Sequence, residues 1–281
     1  MEFSPVLLSA SEIELLRKLA PKLGNPAPGA VGPASLRIAR KSFRLVQDRA
    51  AQDYIQGIGK SLIPAQQRDL SEDNPFKVPF AFYLVADKST DLLAFPSGAI
   101  VVPTGVFNLV ENEAQLAFLL SDAITEVRER VIFRVVQGDK LARTNLGLFA
   151  LSANLTIPFA AVPMQDLVSA TGESDPESLI NQSERVGMQQ MIEAGYDARE
   201  APRTWKSFAL KQPRLNPVAY SYSVQANRQD LDDALAARRA LLMAQLRQNY
   251  AGTDLSTLKK DSDEFHKVAM LVLNAGENKQ K

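Results

Sequence analysis

Between Asp91 and Val136 the spacing of apolar residues changes from continuous to helical. Gly98 to Val102 is an unbroken apolar run, which predicts a buried strand. Pro103 to Gly105 reads as a turn. From near Glu111 the residues Leu116, Leu119, Leu120, Ala123, Ile124, Val127 and Val131 recur at three- and four-residue steps. That spacing places them on one stripe of a long helix, the stripe facing a core.

Other segments are organised around this one. Ser11-Glu-Ile-Glu14 has the form of a capping box and opens a helix to about Leu23. Gly24 to Pro33, rich in Pro, Gly and Ala, reads as a linker. A helix is expected from about Ser35 to Leu62, with Leu36, Phe43, Val46, Ala50, Tyr54, Ile55 and Ile58 on its buried side. Residues 64 to 77 are polar and loop-like. Pro79 to Val85 has the β-branched and aromatic content of a strand, and Asp91 to Phe95 supplies another. Gln137 to Gly172 shows no repeat; its apolar run Leu146 to Val162 is either a core helix broken by proline or a flap over a cleft. Gly195 stands where a helix C-cap is expected, and Arg199 to Phe208 begins the next helix, with Trp205 as a packing residue. Asn227 caps a helix bearing Leu231, Leu235, Leu242 and Leu246; the last helix runs from about Ser262 to Ala275. The division expected is an N-terminal helix and linker (1–44), a core domain (45–210) and C-terminal helices packed on it (211–281).

Composition narrows the chemistry. The chain has 281 residues, 46% of them hydrophobic, enough to bury a core in one or two domains. Its formal net charge is zero, which argues against a partner that presents a phosphate backbone, so no nucleic acid is expected. It has no cysteine and one histidine, His266. Thiolate zinc sites and cysteine catalysis are therefore excluded, and any zinc site would rest on at least two carboxylates, whereas catalytic zinc usually takes a nitrogen-rich set. No apolar stretch is long enough to predict a transmembrane helix; the best, Gly147 to Pro163, is interrupted by Ser152, Asn154, Thr156 and Pro158. The opening MEFSPVLLSA lacks the basic region and apolar core of a signal peptide.

The run ENEAQLA (Glu111 to Ala117), the strand before it and the apolar helix after it resemble the catalytic core of the HtpX/BepA-type zinc metallopeptidases. Two further stretches carry the resemblance: Asp48 to Ile63 (DRAAQDYIQGIGKSLI) and Leu179 to Phe208 (LINQSERVGMQQMIEAGYDAREAPRTWKSF). It covers roughly residues 45 to 210. It implies an α+β fold, mostly helical, with a zincin-like core and a small β-sheet packed on the long site helix. It also suggests an extracytoplasmic, periplasmic location.

In that family the first helix carries HExxH, whose two histidines bind zinc and whose glutamate serves as general base. A second helix supplies a third, glutamate ligand, with an aspartate four residues later as support. Aligned on these motifs, the histidine positions hold Asp122 and Glu126, the base position Ala123, the third-ligand position Ile180 and the supporting position Glu184. Alanine cannot take a proton and isoleucine cannot bind a metal. The resemblance thus implies a metallopeptidase homologue without catalytic residues or a zinc cofactor, a pseudo-peptidase that binds a polypeptide or partner protein, or serves as a scaffold. The competing reading is an active metal-dependent hydrolase with a non-standard carboxylate site. Asp122, Glu126 and Glu184 are open to both: they are either ion-paired, with Arg130, Arg128 and Arg185 as candidates, or hold a cation. The strand Pro96, Ser97, Gly98, Ala99 and Ile100 matches the family's substrate-binding strand; it either binds an extended peptide or is kept for the fold.

Overall fold

The computed structural model describes residues 35–38, 41–72, 74, 77–95, 98–128, 176–211 and 228–277. The expected N-terminal helix, the linker, the segment 137–172, and Pro96, Ser97, Arg130, Val131 and Asn227 lie outside them.

The expected helix over 35–62 is in fact two kinds of structure. Strands β1 (Ser35–Ile38) and β2 (Lys41–Arg44) form an antiparallel pair in which Leu36 faces Phe43. Helix α1 (Arg49–Leu62) begins only after Asp48, whose carboxylate accepts from the Ala51 amide at 2.8 Å. An N-cap aspartate marks a helix start, so Asp48 could not have been an interior residue. Leu36 and Phe43 are buried as expected, but by the strand alternation of residues 35 to 44. On α1 the buried face is Ala51, Tyr54, Ile55, Ile58, Gly59 and Leu62; Ala50 is exposed. A short helix α2 (Ala65–Arg68) follows.

A three-stranded sheet forms the middle layer. Strand β5 (Ala99–Pro103) lies between β3 (Ala81–Val85), parallel to it, and β4 (Leu93–Ala94), antiparallel. Side chains alternate across it. Phe82, Leu84, Ile100 and Val102 enter the main core, while Val85, Ala99 and Val101 pack with Leu36, Phe43 and Phe95 under the β1–β2 pair. With both faces covered, β5 is buried throughout, which is why its sequence is continuously apolar.

Helix α3 (Glu113–Arg128) runs through the centre. It is buried nearly all round rather than on one stripe: Ala114, Ala117, Phe118, Ser121 and Thr125 are as covered as the leucines. The reason is its neighbours, since α1, the sheet, α4 (Pro176–Glu193) and α5 (Ala201–Lys211) pack on it from different sides. Only Asp122, Glu126 and Arg128 are less than fully buried, each keeping a minor part of its surface. Helix α4 ends in a Schellman motif. Gly195 has φ +87°, its amide donates to Ile192 O, and the Tyr196 amide donates to Met191 O. Helix α6 (Arg228–Tyr250) packs on α5 and α4. Helix α7 (Asp263–Glu277) is capped by Ser262, whose Oγ accepts from the Phe265 amide, and packs on the 3-10 turn Thr104–Asn108. The whole is α+β, mostly helical, with sheets of two and three strands.

Candidate functional site

Asp122 and Glu126 lie one turn apart on α3, so they share a side of the helix. Glu184 and Ser183 approach from α4. Ser183 Oγ donates to Asp122 Oδ1 at 2.7 Å. What lets the two helices meet here is Gly187: a Cβ on it would lie 2.9 Å from the Asp122 amide nitrogen. Glycine removes the atoms that would hold the backbones apart.

Glu184 is 1% exposed and is met by two donors from elsewhere in the chain. Arg238 on α6 contacts Glu184 Oε1 through Nε and Nη2. Trp205 on α5 donates its indole N–H to Glu184 Oε2 at 3.3 Å. The Arg238 guanidinium also stacks on Trp205, with Cζ 4.0 Å from the ring centroid. Trp205 is thus a packing residue, 2% exposed and in edge contact with Phe118 and Phe208, and a hydrogen-bond donor to the acidic cluster as well.

The Arg238 guanidinium pairs with Glu184, and burial acts on all three carboxyls. Asp122 is pushed up to about 7 by burial and then by the charge of Glu184, against the pull of Arg238 and the Ser183 hydroxyl. Glu126 is raised well above the usual carboxylate range by burial and by Asp122. Glu184 is raised by burial, with Arg238 and Trp205 opposing. Near neutral pH the cluster therefore keeps protons that exposed carboxylates would have lost. Glu126 Oε2 is buried and has no hydrogen-bond partner among the described residues.

Ala123, the residue expected at the base position, is 5% exposed and packs in the main core. Ile180 lies on α4 one turn before Glu184. The residues present do not suit catalytic zinc. Glu184 is engaged by a guanidinium, and Asp122 and Glu126 offer oxygen donors only. His266 sits on α7 with its Nε2 2.7 Å from Asp261 Oδ2. Among the described residues no group of three or more His, Asp or Glu side chains is arranged to hold a metal ion.

The sequence did not point to Arg238, though it carried a signal. Position 238 falls on the stripe of Leu235 and Leu242, both buried, so an arginine there had to be buried as well. Arg185, a candidate cation, is exposed.

The polar residues of ENEAQLA serve a different purpose. Asn112 caps α3, its Oδ1 accepting from the Gln115 amide at 3.0 Å. Asn112 Nδ2 and Gln115 Nε2 both donate to Glu200 Oε2, at 2.9 and 3.0 Å. Glu200 also meets Arg203 at 2.5 Å and Lys260 at 3.3 Å. Glu113, 1% exposed, accepts from Tyr54, Tyr196, Lys259 and Ser262. Burial works to raise both carboxyls, but their donors outweigh it. Glu113 is held below its ordinary value and Glu200 at about 2. This run fastens the start of α3 to α1, to the α4–α5 turn and to the strand-like segment before α7.

The strand read as a substrate-binding edge is central. Ile100 pairs with Phe82 on one side and Ala94 on the other, and Ala99 O accepts from the Phe95 amide. Main-chain addition there has no free side. Gly98 has φ +89° and its missing Cβ would lie 2.8 Å from Val78 Cγ1, so it is kept for a tight turn. The outer side of β3 is covered by glutamine side chains. Gln52 bonds both the amide and the carbonyl of Leu84, and Gln56 donates to Phe82 O. No strand pairs with the outer side of β4 among the described residues.

The site is thus a small sheet against a central helix, with a second helix meeting that helix at a polar cluster. No protein-family model matches the chain. It is similar to the beta-barrel assembly-enhancing protease of Escherichia coli strain K12, 25% identical over 203 residues, which are 66% of this chain and 38% of that protein. The protein of the same name from Yersinia pestis is 25% identical over 197 residues, 64% of this chain and 37% of that one. The matched region thus spans well under half the length of these curated relatives. No described helix is long and apolar enough to cross a membrane.

Proposed function

We propose that this chain is a metallopeptidase homologue that has lost zinc binding and proteolysis and acts by holding a polypeptide or a partner protein. The observation that carries the reading is the engagement of Glu184 by Arg238 and Trp205 beside a base position filled by buried Ala123. No group at that position can activate a water. By analogy with relatives named for β-barrel assembly, the partner is a protein of that process outside the cytoplasm. If a peptide adds to the sheet, it adds to β4, whose outer side is not paired by another described strand. Metal analysis of the purified protein and a casein-cleavage assay test the proposal. Expected are substoichiometric zinc, no cleavage, and a melting temperature unchanged by chelator. Stoichiometric zinc abolished by Asp122→Ala would overturn it.

One observation favours a second reading, a hydrolase with a carboxylate-held metal: Glu126 Oε2 is buried without a described hydrogen-bond partner. The same measurement decides, because that reading requires a bound metal lost in Glu126→Gln.

A further inference from the structure

We propose that Arg238 is the resident cation of the α3–α4 junction, its ion pair with buried Glu184 fixing helix α6 over the acidic cluster. The contacts of Arg238 stand independently of the proposed function.

The geometry assigns this role to one side chain. Arg238 is 8% exposed, so its charge is largely out of water and must be met by the protein. Nε and Nη2 both reach Glu184 Oε1, and the flat face of the guanidinium lies on Trp205. Its charge acts on Asp122 and Glu126 as well as on Glu184. The groups gathered here come from four helices: Asp122 and Glu126 from α3, Ser183 and Glu184 from α4, Trp205 from α5, and Arg238 from α6. A lysine could not reproduce this, because it lacks the planar face for Trp205 and the fork for the carboxylate. The arrangement also explains a buried arginine on the leucine stripe of α6. Helix α6 is bound to α4 and α5 by charge at its middle and by Leu235 and Leu242 on either side.

A charge role and a packing role differ in how their mutations combine. If Arg238 is needed as a cation, Arg238→Met leaves Glu184 buried with only the Trp205 indole as a described partner, and removing its charge by Glu184→Gln should undo much of the damage. The experiment measures unfolding midpoints of the full chain, Arg238→Met, Glu184→Gln and the double variant at pH 7. Expected is a large fall in the midpoint for Arg238→Met, of which the double variant regains at least half. Arg238→Lys, which keeps the charge but not the planar guanidinium, should fall between Arg238→Met and the parent. Additive losses would overturn the proposal and leave Arg238 as a packing group. So would a double variant that fails to fold while Glu184→Gln alone folds. The result is separate from the peptidase question. A protein that cleaves casein yet shows this rescue would keep Arg238 as the cation and lose the proposed function.

Discussion

Gly187 of α4 lies so close to Asp122 of α3 that an added Cβ would sit 2.9 Å from the Asp122 amide nitrogen and 3.1 Å from its Cα. This contact sets the distance between the two helices that carry the acidic cluster. Backbone cannot move aside as a flexible side chain can. Gly187→Ala should therefore destabilise the protein by about 1–3 kcal/mol, overpacking outweighing the better helix propensity of alanine. Gly57, exposed on α1 with no atom within 4 Å of its absent Cβ, is the control. Gly57→Ala should stabilise by about 0.5–1 kcal/mol. Denaturant unfolding of both checks the contrast; equal effects would show the helices are not in contact at Gly187.

Asp122 makes the fold lose stability as pH rises from about 4 to about 7. Its ordinary value is 3.8 and burial carries it to about 7 in the folded protein. Between these values the folded state binds more protons than the unfolded one, so stability falls as pH rises. Asp122→Asn removes that dependence. The variant should match the parent near pH 4 and exceed it by on the order of 2–4 kcal/mol at pH 8. Stability curves that run parallel from pH 4 to 8 would remove Asp122 as the source.

Glu200 works in the opposite direction. It is held at about 2 against an ordinary 4.5, so its contribution is complete above pH 4.5 and is lost as pH falls toward 2. Glu200→Gln should cost on the order of 1–3 kcal/mol at pH 7, because Arg203 and Lys260 lose their carboxylate. The cost should shrink toward zero near pH 2. A penalty that stays constant in acid would mean that shape, not charge, matters at this position.

Zinc binding should be recoverable by design. Asp122→His and Glu126→His place two imidazoles one turn apart, and Ile180→Glu adds a carboxylate from α4. Because Arg238 already brings positive charge to this place, Arg238→Met should raise zinc uptake in the triple variant. Adding Ala123→Glu should cost stability, since Ala123 lies in the core and a buried carboxylate without a partner is expensive. Metal analysis of the folded variants is the test. A folded variant that takes up no zinc would show that these positions do not converge on one point.

Sequence alone determined the elements whose signals are local. The start of α3 near Glu111, the end of α4 at Gly195 and the buried strand read over Gly98–Val102 and found at Ala99–Pro103 follow from helical spacing, a glycine at the C-cap and an apolar run within a few residues. The expected buried residues Tyr54, Ile55, Leu116 and Leu120 came from the same short-range patterns, and the α+β class from the resemblance. The hairpin at residues 35–44 did not, because Leu36 and Phe43 fit a helical spacing and a strand alternation alike, and only their docking on Phe95 separates the two.

Tertiary structure decided the meaning of the charged positions. The carboxylates of Asp122, Glu126 and Glu184 are visible in the chain, but their cation lies 54 residues beyond Glu184 on another helix. Glu113 and Glu200 are held by donors up to 149 residues away. Periodicity records which face of an element is buried. It does not record which buried faces meet, and an ion pair exists only where two of them do.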